Sequence, residues 1–201
     1  MKGNVTVILR GYTYDQVKSV CNVLVESEKV SNVEITLNTK NALEIIKKIT
    51  HDFKDKLSIG AGTVVTFDEL KSVISCGVKF VLSPTGYTKE MIDFCHQNNV
   101  EAIPAALTPS EILDQIQKGA DIVKVFPANE FSSKYARKVC EPLGKLPLMA
   151  VGGINADNVK AHFDGGYQYV GTAGGIFNKK DILEMNEKEM KKSLENFESK
   201  I

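Results

Sequence analysis

The chain is poor in the residues that build metal centres and disulfide frameworks: its 201 residues include three histidines and four cysteines. Cys21, Cys76, Cys95 and Cys140 are widely scattered with no C-x-x-C pair, and at least three sit inside helix-like segments. They read as reduced packing residues. His51, His96 and His162 are equally dispersed, each in or near the polar end of a helical stretch. None has a second imidazole one helical turn away, which argues against a histidine-built metal site. An excess of one charge is also lacking. Twenty-five basic residues cancel twenty-five acidic ones, so bulk electrostatics give no reason to expect nucleic acid or an anionic membrane as partner. No apolar run approaches the roughly 18 residues of a membrane-spanning helix, and the opening Met-Lys-Gly-Asn lacks the apolar stretch of a secretory signal. The expectation is a cytoplasmic protein that works on small molecules.

What the sequence does have is alternation. A hydrophobic fraction of 43% over this length suffices for one sizeable core, so residues 1–201 are expected to form a single domain. Short β-branched runs are expected as strands at Val5–Leu9, Val33–Leu37, Leu57–Ala61, Lys79–Leu82, Val100–Ile103, Asp121–Phe126, Leu148–Val151 and Tyr167–Val170. Helical patterns lie between them, near residues 15–26, 41–53, 67–75, 89–98, 109–118, 133–140, 156–163 and 181–197. Thr108-Pro109-Ser110-Glu111 is a capped helix start, and Gly77, Gly119 and Gly165 follow helices where a left-handed residue is needed. Eight strand–helix units fit a closed (β/α)8 TIM barrel, whose inward side chains just fill the interior at that strand number. An open doubly wound sheet is the alternative. Barrel chemistry sits at the C-terminal ends of the strands.

Those ends carry several unusual residues. In Asp121-Ile-Val-Lys-Val-Phe-Pro, alternation puts Lys124 on one face with Ile122 and Phe126. If that face lines the barrel, desolvation lowers the amine pKa, and a neutral amine can attack a ketone. A lysine snorkelling from an edge strand, or paired with a carboxylate, is the other reading. In Asn32-Val-Glu-Ile-Thr-Leu-Asn, the apolar set Val33, Ile35 and Leu37 suits the helix layer, which sends Glu34 inward as a buried carboxylate. Such a couple could move protons around a Schiff base, or it could be a structural ion pair. Gly60-Ala-Gly-Thr63 would let a ligand approach the backbone, but Gly-x-Gly is also common in turns, and structural packing is the favoured explanation of the motif. Val151-Gly-Gly-Ile154 and Gly171-Thr-Ala-Gly-Gly-Ile176 occupy the last two units, where barrels bind phosphate through backbone N–H groups.

Taken in order along the chain, Val-Glu-Ile-Thr-Leu around Glu34, Gly60-Ala-Gly-Thr-Val64, Ser83-Pro84, Thr108-Pro-Ser-Glu111, Lys124-Val-Phe-Pro127 and Gly152-Gly-Ile154 resemble one family. It is the bacterial 2-keto-3-deoxy-6-phosphogluconate aldolases, class I aldolases on a (β/α)8 barrel. The resemblance implies that Lys124 forms the Schiff base and that Glu34 moves protons during carbinolamine formation and carbon–carbon cleavage. It implies that Thr63 helps hold the pyruvate carboxylate, that Phe126 packs beside the keto acid, and that Arg10 offers a charge-assisted bond near the substrate. The Gly152-Gly153 turn and the Ala173-Gly174-Gly175 turn would take the distal phosphate. The partners implied are a phosphorylated keto sugar acid, pyruvate and glyceraldehyde 3-phosphate, with no metal, no cofactor and a homotrimeric assembly.

The chain departs from that pattern in places. Asn38 stands where many phosphogluconate-specific members have arginine, and Val151 where they have threonine. Leu37-Asn38-Thr39 and Ala150-Val-Gly-Gly153 look more like the 2-dehydro-3-deoxy-6-phosphogalactonate branch, whose substrate differs at one hydroxyl. Ala105 replaces the usual glycine after the proline of the fifth strand, and Gly174 replaces a serine of the last phosphate turn. Cleavage of 4-hydroxy-2-oxoglutarate, a metal-assisted aldolase or phosphosugar epimerase on the same barrel, and a catalytically silent phosphosugar-acid sensor are the alternatives.

Overall fold

The computed structural model describes all 201 residues. Nine strand segments, all parallel, alternate with helices: β1 (Val5–Leu9), β2 (Asn32–Thr36), β3 (Ser58–Gly62), β4 (Phe80–Leu82), β5 (Glu101–Ile103), β6 (Ala105–Ala106), β7 (Val123–Val125), β8 (Leu148–Val151) and β9 (Tyr169–Thr172). Their order is β5-β4-β3-β2-β1-β9-β8-β7-β6. The two outermost segments are consecutive pieces of one strand, interrupted at Pro104, which has no N–H to give to a ladder. β5 pairs with β4, and β6 pairs with β7. The Lys124 N–H donates to the Pro104 carbonyl at 2.9 Å and that of Asp121 to Ala102 at 3.1 Å. The sheet therefore closes on itself as an eight-stranded barrel, the expected architecture.

Alternation sorts the strand residues between two layers. Val5, Val7, Leu9, Val33, Ile35, Val123, Val125, Leu148, Ala150 and Val170 point outward and join a core of 52 residues under the helices. Ile8, Phe80, Leu82, Ile103, Ile122, Met149 and Val151 form a separate cluster of seven inside the barrel. Glu34 and Lys124 share this inner face, as the patterns of their strands require. No helix is long and apolar enough to cross a membrane.

The helices are α1 (Tyr14–Leu24), α2 (Ala42–Phe53), α3 (Phe67–Ile74), α4 (Lys89–Gln97), α5 (Pro109–Gln117), α6 (Tyr135–Leu143), α7 (Val159–Asp164), α8 (Lys179–Leu183) and α9 (Glu187–Glu198), with a 3₁₀ turn at Ala128–Glu130. Thr108 caps α5 in a full capping box with Glu111, as read from sequence. Four expectations are corrected. The last strand begins at Tyr169 rather than Tyr167 and runs to Thr172, because Gly171 and Thr172 pair with Thr6 and Val7 instead of turning. The helix expected from residue 156 starts at Val159, since the Asn155 and Asn158 side chains accept from nearby N–H groups and hold a turn there. The long final helix is two, broken where Met185 turns left-handed (φ 52°) and Asn186 caps α9. Gly166, not Gly165, takes the left-handed conformation after α7; Gly165 is needed because a Cβ there would overlap the Ser133 carbonyl.

Candidate active site

Lys124 lies at the centre of β7 and is 6% exposed. Its Nζ sits 4.8 Å from the centroid of the Phe126 ring, which is 36% exposed at the end of the same strand. Burial pulls the Lys124 pKa below the ordinary lysine value; the Glu34 charge opposes the shift and the Arg10 charge adds to it. Glu34, 1% exposed on β2, shifts the other way. Burial raises its carboxyl pKa, against the pull of Lys124 and Arg10. The two groups influence one another through space, without being locked together by hydrogen bonds: Glu34 Oε2 is buried and has no partner. An amine with a lowered pKa beside a carboxyl with a raised one can form an imine and pass protons around it near neutral pH.

β3 has glycine at two of its three inner-face positions, Gly60 and Gly62, while Ile59 and Ala61 join the outer core. A Cβ on Gly60 would overlap the Phe80 ring, and one on Gly62 would overlap the Glu34 carboxylate. The glycines of Gly60-Ala-Gly-Thr63 thus leave room for neighbouring side chains, the packing reading of the motif rather than the ligand one. Thr63, directly after the strand, is half-buried and left-handed (φ 60°), a conformation that costs a β-branched residue roughly 1–2 kcal/mol.

Arg10 is exposed directly after β1, and its charge reaches both Glu34 and Lys124. The turn that carries it is held by Gly11, at φ 78°, whose N–H donates to Thr39 Oγ1 at 2.9 Å. Thr39 is in turn 3.2 Å from Thr36 Oγ1. Asn38 is exposed in the same connection. Val151, buried at the end of β8, belongs to the inner cluster and packs over Gly171.

Gly152 (φ 119°) and Gly153 (φ 67°) have conformations that only glycine adopts without strain, and the Asn129 side chain lies against both. Thr172 ties this turn to the next: its hydroxyl donates to the Ile154 carbonyl at 2.7 Å and accepts from the Gly175 N–H at 2.9 Å. The Gly175 donor is therefore committed inside the protein, which corrects its expected part in phosphate binding. Ala173 and Gly174 are exposed, and a Cβ on Gly174 would meet nothing within 4 Å. Thr172, Thr39 and the spatial role of Gly62 escaped the sequence reading. An inward polar residue at the end of a strand was the available signal for Thr172; Thr39 lies in the turn after β2, where alternation gives none.

No three His, Cys, Asp or Glu side chains converge as a set that could hold a metal ion. A cavity of about 900 Å³ on the outer flank, lined in part by Lys29, Lys160, Phe163 and Ile201, carries none of these site residues, and its charged residues are all exposed.

The family model described as KDPG and KHG aldolase matches residues 1–193. A 2-dehydro-3-deoxy-6-phosphogalactonate aldolase of Escherichia coli is 25% identical over 178 residues, 88% of this chain and 86% of that protein. A 2-dehydro-3-deoxy-phosphogluconate aldolase of Dickeya dadantii is 31% identical over 129 residues, 64% of this chain and 60% of its own. A Legionella pneumophila KDPG aldolase, solved with pyruvate captured as a covalent carbinolamine, superposes with a TM-score of 0.85 at 22% identity, covering 96% of this chain and 93% of its own. With the family model spanning nearly its whole length, the chain belongs to the KDPG and KHG aldolase family.

Proposed function

We propose that the protein is a class I aldolase that reversibly cleaves 2-keto-3-deoxy-6-phosphogluconate to pyruvate and glyceraldehyde 3-phosphate. The observation that carries this reading is Lys124, a buried amine on the inner wall with its pKa lowered by burial, beside a carboxyl whose Oε2 is unpartnered. Neutral Nζ adds to the C2 carbonyl, and the carbinolamine loses water to give an iminium. Glu34 accepts the C4 hydroxyl proton as the C3–C4 bond breaks; its electron pair moves to the iminium, leaving an enamine. Glyceraldehyde 3-phosphate departs, C3 of the enamine is protonated, and water releases pyruvate and the free lysine.

In this reading Thr63 and Arg10 hold the carboxylate end, Phe126 packs beside the keto acid, and Asn38 and Val151 border the sugar hydroxyls. The N–H groups of Gly152, Gly153, Ala173 and Gly174 take the phosphate, and Gly175 contributes by shaping its turn. The galactonate epimer is a second reading, favoured by apolar Val151 where a hydroxyl would meet the sugar and by the 178-residue match to a galactonate aldolase. A homotrimer is proposed on the family resemblance, to be read by analytical ultracentrifugation. The decisive experiment treats the protein with pyruvate and borohydride and maps the peptides. A mass gain on Lys124 is expected, and its absence would reject the mechanism. Comparing kcat/KM on the two epimers, with Lys124→Ala as control, ranks the substrates.

A further inference from the structure

Glu34 and Gly60 are register partners on β2 and β3, and Thr36 is the partner of Gly62. The Glu34 carboxylate nevertheless lies against Gly62 rather than Gly60: a methyl at residue 62 would overlap Oε1 and Cδ and come within 2.8 Å of Cγ. The side chain therefore leans toward the C-terminal end of the barrel, into space a side chain on β3 would fill. The Phe80 ring takes the equivalent space over Gly60. Gly62 has no positive φ to explain its identity; steric exclusion does.

We propose that Gly62 is a positioning residue for the aldol step: by lacking a side chain, it admits the Glu34 carboxylate to the level at which protons are exchanged with the substrate. The inference rests on the proposed role of Glu34 and names the residue that sets its reach. Two consequences follow. Adding a methyl at residue 62 should act on turnover through Glu34 alone, and removing the acid should remove that effect.

The test is a cycle of Gly62→Ala and Glu34→Ala, with kcat, KM and pH profiles measured on the phosphorylated keto acid. Gly62→Ala is expected to lower kcat about 100-fold, the scale of a misplaced catalytic group, with KM little changed. Because burial is what raises the Glu34 pKa, a displaced, more hydrated carboxylate should also move the acidic limb of kcat to lower pH. On the Glu34→Ala background the same methyl should cost less than about fivefold of the residual turnover, since no side-chain atom beyond Cβ is left to meet it. An equal fold-loss on both backgrounds overturns the proposal. If Gly62→Ala does not fold, the melting temperature of Gly62→Ala/Glu34→Ala should match that of Glu34→Ala alone, and a further drop overturns it. Failure of wild type to form the borohydride adduct rejects the lysine mechanism; formation of the adduct with no background dependence rejects this inference only.

Discussion

The protein holds two kinds of lysine–glutamate couple, and their chemistry diverges. On α2, Lys48 Nζ donates to Glu44 Oε1 at 2.7 Å with both side chains more than half exposed. That hydrogen bond raises the Lys48 pKa and lowers that of Glu44. Inside the barrel the directions invert, because removal of water outweighs the attraction: Lys124 falls and Glu34 rises. Water and hydrogen bonds stabilise the surface charges, whereas burial keeps the interior pair nearer neutrality. The same two residue types make a solvated decoration in one place and, under the proposed mechanism, a nucleophile with a proton carrier in the other.

The contrast can be broken most severely at the amine. Lys124→Ala should abolish both the borohydride adduct with pyruvate and turnover, read by peptide mapping and a coupled pyruvate assay. Glu34→Gln should lower kcat about 10²–10⁴-fold, the usual worth of a positioned acid–base group, while the pyruvate adduct still forms.

Charge effects on the amine are smaller and have opposite signs. The Glu34 charge raises the Lys124 pKa and the Arg10 charge lowers it. Neutral amine predominates above the pKa, so Glu34→Gln should move the pH profile of adduct formation to lower pH and Arg10→Met to higher pH. Shifts in one common direction would contradict the arrangement. At the substrate wall, Val151→Thr should change the gluconate-to-galactonate ratio of kcat/KM about tenfold toward gluconate, the value of one hydrogen bond near 1.4 kcal/mol. The smallest effect belongs to the exposed couple: Glu44→Gln should leave the melting temperature and the pH profile unmoved.

Much of this was legible in the sequence because strand alternation is a local rule. Ile122 and Lys124 on one face, and Val33 and Ile35 on the other side from Glu34, follow directly from a period of two. The barrel followed from counting such units. What local rules missed depends on partners distant in the chain. Pro104 divides a strand between two neighbours, which only the closed barrel reveals. Gly171 and Thr172 look like turn residues until Thr6 and Val7 pair with them. Gly60 and Gly62 suggest packing against something, but the ring and the acid that fill the space come from β4 and β2 and could not be named from the motif. The commitment of the Gly175 donor likewise depends on a hydroxyl three residues earlier that must also meet the Ile154 carbonyl.

That hydroxyl has a further consequence. Thr172 ties the two glycine turns together through its hydroxyl, while Lys124 sits on β7, paired with β8, the strand that leads into the first of them. Under the proposed reading, the gap between Lys124 and these turns works as a ruler for chain length. A six-carbon acid 6-phosphate spans from imine to rim, whereas a shorter homologue satisfies one end and forfeits the other.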